Sequence, residues 1–522
     1  MISRISFFIL LSISSQLLEG QNTFNQRFSL GFPASILSNI IVTDSCYYLM
    51  GTVADSVPPY WLGALFLKTD LEGNPLVVKT IMGQNKSWQI WNPEFSILPD
   101  GSFAVAGHSF DSISRAVLIR YDQNGDTLFT NAFANLYLPP NDFVWPRAFA
   151  PYPDGGFVFA CEAQQTPIGI YQNVDIWVVK TDSLGEIEWY KKIGNNWWEK
   201  PYSLIVDSDA NIIIGGHKAN LNIAVSNYTY QTHLIKLDGI GNILWTYLSP
   251  TSLGLRYGAA DMVLLEDGSL VVASGVGYEQ ERTSVNTIYF DKHIFKLNPM
   301  QEIEWEIPFE QPVLTGQAYV TNIIAVSDGS GFIAAGTQEE DLPGPYNYTI
   351  MGWVGKVSPN GDSLWTRKYM GINNDDNRQV LYDLKETPDG GFLLCGESRN
   401  PMPVPGEIAQ QAWLLKLDQY GCLVPGCHLN TAATEPEQAA FRLAIYPNPA
   451  TDYLNFFLYA PDRTSALSFR ILDAAGRLVK EFDPLPSGAT YILPVSDWPR
   501  GAYVLQGLGE GKVLCAEKFI KH

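Results

Sequence analysis

The chain has 522 residues, a formal net charge of −20 at pH 7, and 46% hydrophobic and 13% aromatic residues. That length suits about two or three domains or an array of repeats, and the apolar content is enough for large cores. The acidity leaves nothing to neutralise phosphates, so a nucleic-acid backbone is excluded as partner and the charge is read as serving solubility.

Residues 1–20 carry Arg4, an apolar run from Ile5 to Leu18, and small or polar residues before Gln21. This layout predicts a signal peptide cleaved near Gly20. No later stretch approaches the roughly eighteen apolar residues of a membrane span, so the mature chain is expected to have no transmembrane segment.

Residues 21–429 repeat themselves. Pro388-Asp389-Gly390-Gly391 joins two apolar runs with residues suited to a tight turn, and Phe392-Leu393-Leu394-Cys395 reads as a strand buried on both faces. Aligned on the first apolar residue after such turns stand Tyr47, Phe103, Phe157, Ile212, Leu270, Phe332 and Phe392, spaced by 54 to 62 residues. Four positions later each copy has a small residue: Gly51, Gly107, Cys161, Gly216, Ser274, Gly336 and Gly396. A second register, Lys68, Arg120, Lys180, Lys236, Lys296, Lys356 and Lys416, ends an apolar strand and precedes another turn. Beyond that turn comes a large residue, as in Val77, Phe129, Trp189, Trp245, Trp305 and Trp365.

Each unit is therefore four short strands. Such units cannot bury both apolar faces alone and must stack, which predicts an all-β fold with a seven-bladed β-propeller; a solenoid is the alternative. The seventh unit lacks the large residue after Gly421. Phe24 to Gly31 resembles Trp365 to Gly371, so the N-terminal segment is expected to supply the missing strand.

Of six cysteines, Cys161 and Cys395 fall in the small-residue register and read as buried apolar groups. Cys422 and Cys427 bracket a Leu-Val-Pro-Gly turn where the repeats stop, and a disulfide is expected there. Cys46 and Cys515 are unassigned.

Sought catalytic motifs, including His-Glu-x-x-His, Gly-x-Ser-x-Gly, a phosphate loop and Cys-x-x-Cys, are absent from the sequence. His233 and His293 replace core residues of other units. Directly after the small residue stand Thr52, His108, Glu162, His217, Gly275, Thr337 and Glu397, which would recur as a partly polar ring. Strand ends are ordinarily polar, but His108, Glu162, His217 and Glu397 are candidate ligand-binding groups. Asp122-Gln123-Asn124-Gly125-Asp126 departs from the calcium-loop spacing and reads as a turn, as Glu339-Glu340-Asp341 and Asn373 to Asp376 read as solvated loops. No cofactor or metal site is expected beyond weakly held calcium. The variable connections carry Trp61, Trp88, Trp91, Trp145, Trp197 and Trp198, aromatics suited to stacking on sugars or anchoring a protein, unless they pack under their own loops.

Residues 430–440 are polar and Ala-rich and read as a linker. Residues 441–522 show about seven short strands, the pattern of a small Ig-like β-sandwich. Here Tyr446-Pro447-Asn448-Pro449-Ala450 is followed by Asp452, by Ile471-Leu472-Asp473 with Gly476, by Gly501-Ala502-Tyr503, and by Lys518-Phe519-Ile520-Lys521. This segment resembles the type IX secretion C-terminal sorting domain. Trp498-Pro499-Arg500 departs from the usual Leu before a polar pair and Gly. The resemblance implies passage of a Gram-negative outer membrane with the type IX machinery as partner, then a secreted or surface-attached product whose tail is removed. The repeats resemble propeller modules that often precede such tails.

The sequence thus favours an exported, non-enzymatic propeller that binds a glycan or protein through its long-loop face. A secreted polysaccharide hydrolase or lyase and a structural surface component are the alternatives.

Overall fold

The computed structural model describes residues 22–522 apart from 84, 91–94, 134–142, 165–173, 195–197, 223–226, 252–254, 257, 283–284, 310–317, 341–348, 372–377, 400–407, 409, 425–426, 431–440, 460–465, 487–488 and 510. The signal-peptide segment and nearly all of the linker lie outside them, as do Trp91 and Trp197. The described chain is all-β, with one short 3-10 turn at Cys427–Asn430 among its elements.

The unit nearest the tail shows how the repeat is built. Its first strand, Arg378–Glu386, pairs antiparallel with Phe392–Arg399, which pairs with Gln410–Leu417. The turn between the first two closes through Gly390 N–H donating to Thr387 C=O at 2.8 Å, with Gly390 at φ 75°. Asp389 accepts from Gly391 N–H and also receives Lys416 Nζ at 2.9 Å. The Lys register therefore caps the carboxylate of the turn, as Lys180 does with Asp154 and Lys236 with Asp207.

The small-residue register has a cause that the sequence hid. Among the described residues, the first strand bulges at Ser38, Arg147, Tyr202, Thr321 and Tyr382, where one residue has no opposite number. The bulge drives the first strand's backbone toward the second. A Cβ at Gly396 would lie 1.8 Å from Val380 O, and one at Gly336 would lie 2.0 Å from Tyr319 O.

Successive units lock by a second device. The outer-strand aromatic of one unit packs on the positive-φ glycine of the next unit's turn: Trp189 on Gly241, Trp305 on Gly361, Trp365 on Gly421. Trp189 Nε1 and Trp305 Nε1 also donate to Gly239 O and Pro359 O, each at 3.2 Å.

The strand Phe24–Phe28 completes the last unit. It pairs antiparallel with Gln410–Leu417, Phe24 opposite Lys416 just as Trp365 stands opposite Lys356. Phe24 then packs on Gly73 of the first unit's turn. Thr23 Oγ1 donates to Leu423 O at 3.0 Å, and Cys422 is bonded to Cys427 with Cα atoms 5.7 Å apart.

In two units the described part of the first strand comes in two pieces. It is described as Ser87–Gln89 and Phe95–Ile97 in the second unit, and as Leu255–Arg256 and Asp261–Leu264 in the fifth. The gap between the two pieces lies opposite the level at which the other units bulge.

The tail residues form two sheets over one apolar core. Arg442–Tyr446, Tyr453–Tyr459 and Ala489–Pro494 make one. Ala466–Asp473, Leu478–Pro486, Gly501–Gly509 and Lys512–Lys521 make the other. Leu454, Phe456, Phe469, Tyr491, Leu505 and Phe519 fill the space between.

Candidate functional site

The first strands of six units converge on a cavity of about 180 Å³. Its wall includes Ser38, Asn39, Tyr202, Asp261, Thr321, Asn322, Tyr382, Asp383 and Lys385. Apart from Asp261, which comes from the fifth unit, these are bulge residues or lie within three positions of one, so the kink that crowds the glycines also turns polar side chains inward. Several bridge adjacent units. Ser38 Oγ donates to Ile90 O at 3.1 Å, Ser203 Oγ to Ala259 O at 3.1 Å, and Thr321 Oγ1 to Leu381 O at 2.7 Å. Asp261 accepts from Ile323 N–H at 2.9 Å, and Asp383 from Ile40 N–H at 2.7 Å. Asn322 Oδ1 has no hydrogen-bond partner among the described residues.

The polar register after each small residue lies further out, within the sheets. Thr52 exchanges two bonds with the backbone of Ile90 in the next unit. His108 Nε2 meets Ser114 Oγ at 2.8 Å, and that hydroxyl in turn contacts the Val144 backbone. Burial, aided by the Arg147 charge, takes His108 down to about 4. His217 is held near 3 by burial and by Lys200, with Tyr202 Oη 3.0 Å from its Nδ1.

The two glutamates differ. Burial pushes the Glu162 carboxyl up, but Arg147 and Lys200, each 2.7 Å away, outweigh it and hold the group below its ordinary range. Glu397, beside Gln410 and with Arg378 only at 3.9 Å, is raised by burial. Thr337 is buried. The register is thus polar as the repeat suggests, and its bonds run within and between units.

The aromatics at the starts of the first strands share a pattern absent from the sequence reading. Each has a cation two residues away lying over its ring. Lys86 lies 4.4 Å from the Trp88 ring centre, Arg147 4.9 Å from that of Trp145, and Lys200 4.7 Å from that of Trp198. His108 stacks on Trp145 at 4.8 Å, fixing the indole plane. Trp61 is half-buried. His233 and His293 are buried, the latter 3.0 Å from Glu306.

Asp122 accepts from Asn124 and Asp126 N–H, so its loop is the hairpin turn of its register. Asp418, Cys422 and His428 approach one another with metal-ligand atoms, but the Cys422 sulfur is already bonded to Cys427.

In the tail, motifs far apart in sequence form one structure. Asn448 Nδ2 donates to Lys518 O at 3.1 Å and its Oδ1 accepts from Ile520 N–H at 3.0 Å, clamping the last strand beside Pro447 and Pro449. Asp452 O accepts from Val495 N–H at 2.7 Å. Gly476 sits at φ 77° in a turn closed on Asp473, a conformation that favours glycine. Gly501 stands opposite Lys521. Tyr503 stacks on Phe519 at 5.4 Å and donates to Pro499 O at 2.7 Å, while Trp498 packs against it at 5.3 Å. The Trp-Pro-Arg departure is thereby absorbed as packing.

Comparison with known proteins agrees with the tail. The family described as "Secretion system C-terminal sorting domain" matches residues 444–522. No curated protein matches the chain. Among solved structures, an alpha-L-arabinanase of Penicillium chrysogenum complexed with arabinobiose is 14% identical, covering 62% of this chain and 94% of its own, at TM-score 0.41. An ulvan lyase of polysaccharide lyase family PL25 is 10% identical, covering 78% and 100%, at 0.47. Drosophila Semaphorin 2a is 8% identical, covering 96% and 97%, at 0.41. No helix among the described residues is long and apolar enough to cross a membrane. Residues 444–522 are a type IX secretion C-terminal sorting domain, which marks the chain for export to the surface or surroundings of a Gram-negative cell.

Proposed function

We propose that residues 21–429 of the exported chain close into a seven-bladed β-propeller, joined through 430–440 to an Ig-like sorting sandwich, and that the propeller binds a glycan on its long-loop face. The observation that carries this reading is the row of tryptophan–cation pairs, Trp88–Lys86, Trp145–Arg147 and Trp198–Lys200, at the starts of three consecutive first strands. Indole faces suit the apolar face of a sugar ring, and the neighbouring cations suit carboxylate or sulfate groups on it. In a chain of net charge −20, two cations sharing one buried carboxylate, Arg147 and Lys200 with Glu162, together with Lys86, leave net positive charge beside the aromatics and favour an acidic glycan. His108 and Glu162 act here as supports, one orienting Trp145 and the other holding Arg147 and Lys200. His217 supports Tyr202 at the cavity wall.

A second reading, a hydrolase or lyase acting on such glycans, rests on Glu397, whose raised carboxyl could hold a proton for transfer. An array of uronate-bearing, sulfated and neutral glycans probed with the full chain tests both. Binding to acidic glycans that weakens with salt, and falls about ten-fold in Trp88→Ala, is expected. Absence of binding to every acidic glycan would remove the reading, and their depolymerisation, lost in Glu397→Gln, would favour the enzyme.

A further inference from the structure

The outer strand of the sixth unit, Ser363–Gly371, does not end in solvent. Tail strand Ala489–Pro494 runs parallel beside it, Lys368 opposite Ala489 through Gly371 opposite Ile492. The same tail strand pairs on its other side with Tyr453–Tyr459, so one sheet crosses from the repeats into the sorting domain.

Side chains interlock across this junction. Ile492 is buried among Tyr369, Leu381, Trp413 and Leu423 of the repeats, while Met351 and Met370 of the sixth unit are buried among Leu454, Phe456 and Tyr491 of the tail. The closing strand takes part as well. Arg27 lies 5.8 Å from the Tyr453 ring centre, and Tyr446 Oη donates to Thr23 O at 3.5 Å.

An open strand edge offers unpaired N–H and C=O groups and attracts a further strand. Here that strand comes with an apolar core contributed from both sides, the mode by which extended segments bind a sheet edge in stable complexes. None of these contacts depends on residues 431–440. We infer that the sorting domain is a docked partner of the repeats, with the edge Lys368 to Gly371 as its receptor, and that it remains bound after the connecting segment is cut.

The test uses the full chain, tail included, purified before any tail removal, with a specific protease site placed within residues 431–440. After cleavage, both fragments are expected to co-elute in size-exclusion chromatography under native conditions, and Met370→Asp is expected to separate them. In the uncut wild type, hydrogen exchange from Lys368 to Gly371 should be at least about ten-fold slower than in an exposed outer strand such as Pro75–Ile81. Separation of the wild-type fragments, or equally fast exchange in the two strands, would overturn the inference, and the exchange measurement decides it even if Met370→Asp fails to fold.

Discussion

The sixth and seventh units have the same pairings and the same turn chemistry, yet only the sixth is made from continuous chain. In the sixth, Trp365 faces Lys356 and packs on Gly421; in the seventh, Phe24 faces Lys416 and packs on Gly73. A bond between Asn25 and Trp413 joins residues 388 apart in the sequence. The unit is therefore defined by register, with connectivity left free. What differs is entropy: closing the seventh unit fixes the two ends of a very long segment, and local contacts must offset that.

Removing residues 21–31 should break the likeness most severely. It strips Phe24 and Phe28 from the core, about 5 kcal/mol of apolar burial, and exposes the edge of Gln410–Leu417. A large fall in the thermal midpoint is expected; an unchanged midpoint would mean that the strand does not hold the seventh unit together.

Gly336→Val and Gly396→Val compare the units at their bulges. Both place Cβ within 2.0 Å of a backbone oxygen, so each should cost at least about 3 kcal/mol by denaturant unfolding. Similar losses would support a common unit. A mild effect at Gly396 alone would show the seventh unit to be slack.

The ring register extends the comparison to pH, because the fourth unit has His217 where the sixth has Thr337. The folded His217 titrates near 3, below its ordinary value, so the unfolded chain binds the proton more readily. Stability from the neutral imidazole is then present above about pH 6.5 and lost as pH falls through that value toward the folded one. His217→Gln should remove about 2 kcal/mol of the loss between pH 7 and 5. An unchanged pH profile of unfolding would contradict the burial argument. Thr337→Ser, by contrast, should leave the profile alone.

The disulfide belongs to the seventh unit alone. Cys422→Ser should cost at most about 2 kcal/mol, since the closed loop is short. Peptide mapping without reductant that found both thiols free in exported protein would remove this difference between the units.

How much of this was legible depended on whether side chains carry the instruction. Turns announce themselves through Asp and Gly, strand ends through Lys, and the closing strand through Phe24 standing where other units have Trp. The disulfide was readable from the turn between its cysteines. The bulge was not, because an extra backbone residue has no side-chain signature; its trace was the column of small residues around Gly396. The polar ring was visible as residue types, but burial and partners such as Arg147 for Glu162 depend on neighbouring units in space. The seat of the tail was invisible, since backbone pairing from Lys368 to Gly371 asks little of sequence. Asn448 and Ile520 likewise meet only in the folded tail.

The placement of Phe24–Phe28 also sets an order in time. During synthesis this strand leaves the ribosome near the beginning, but its partner, Gln410–Leu417, follows only after nearly all the repeats. Units built from continuous chain can pair as they emerge. The segment made early must wait, so completion of the seventh unit is expected among the last events of folding, and any export step that needs a pliable chain has until then to act.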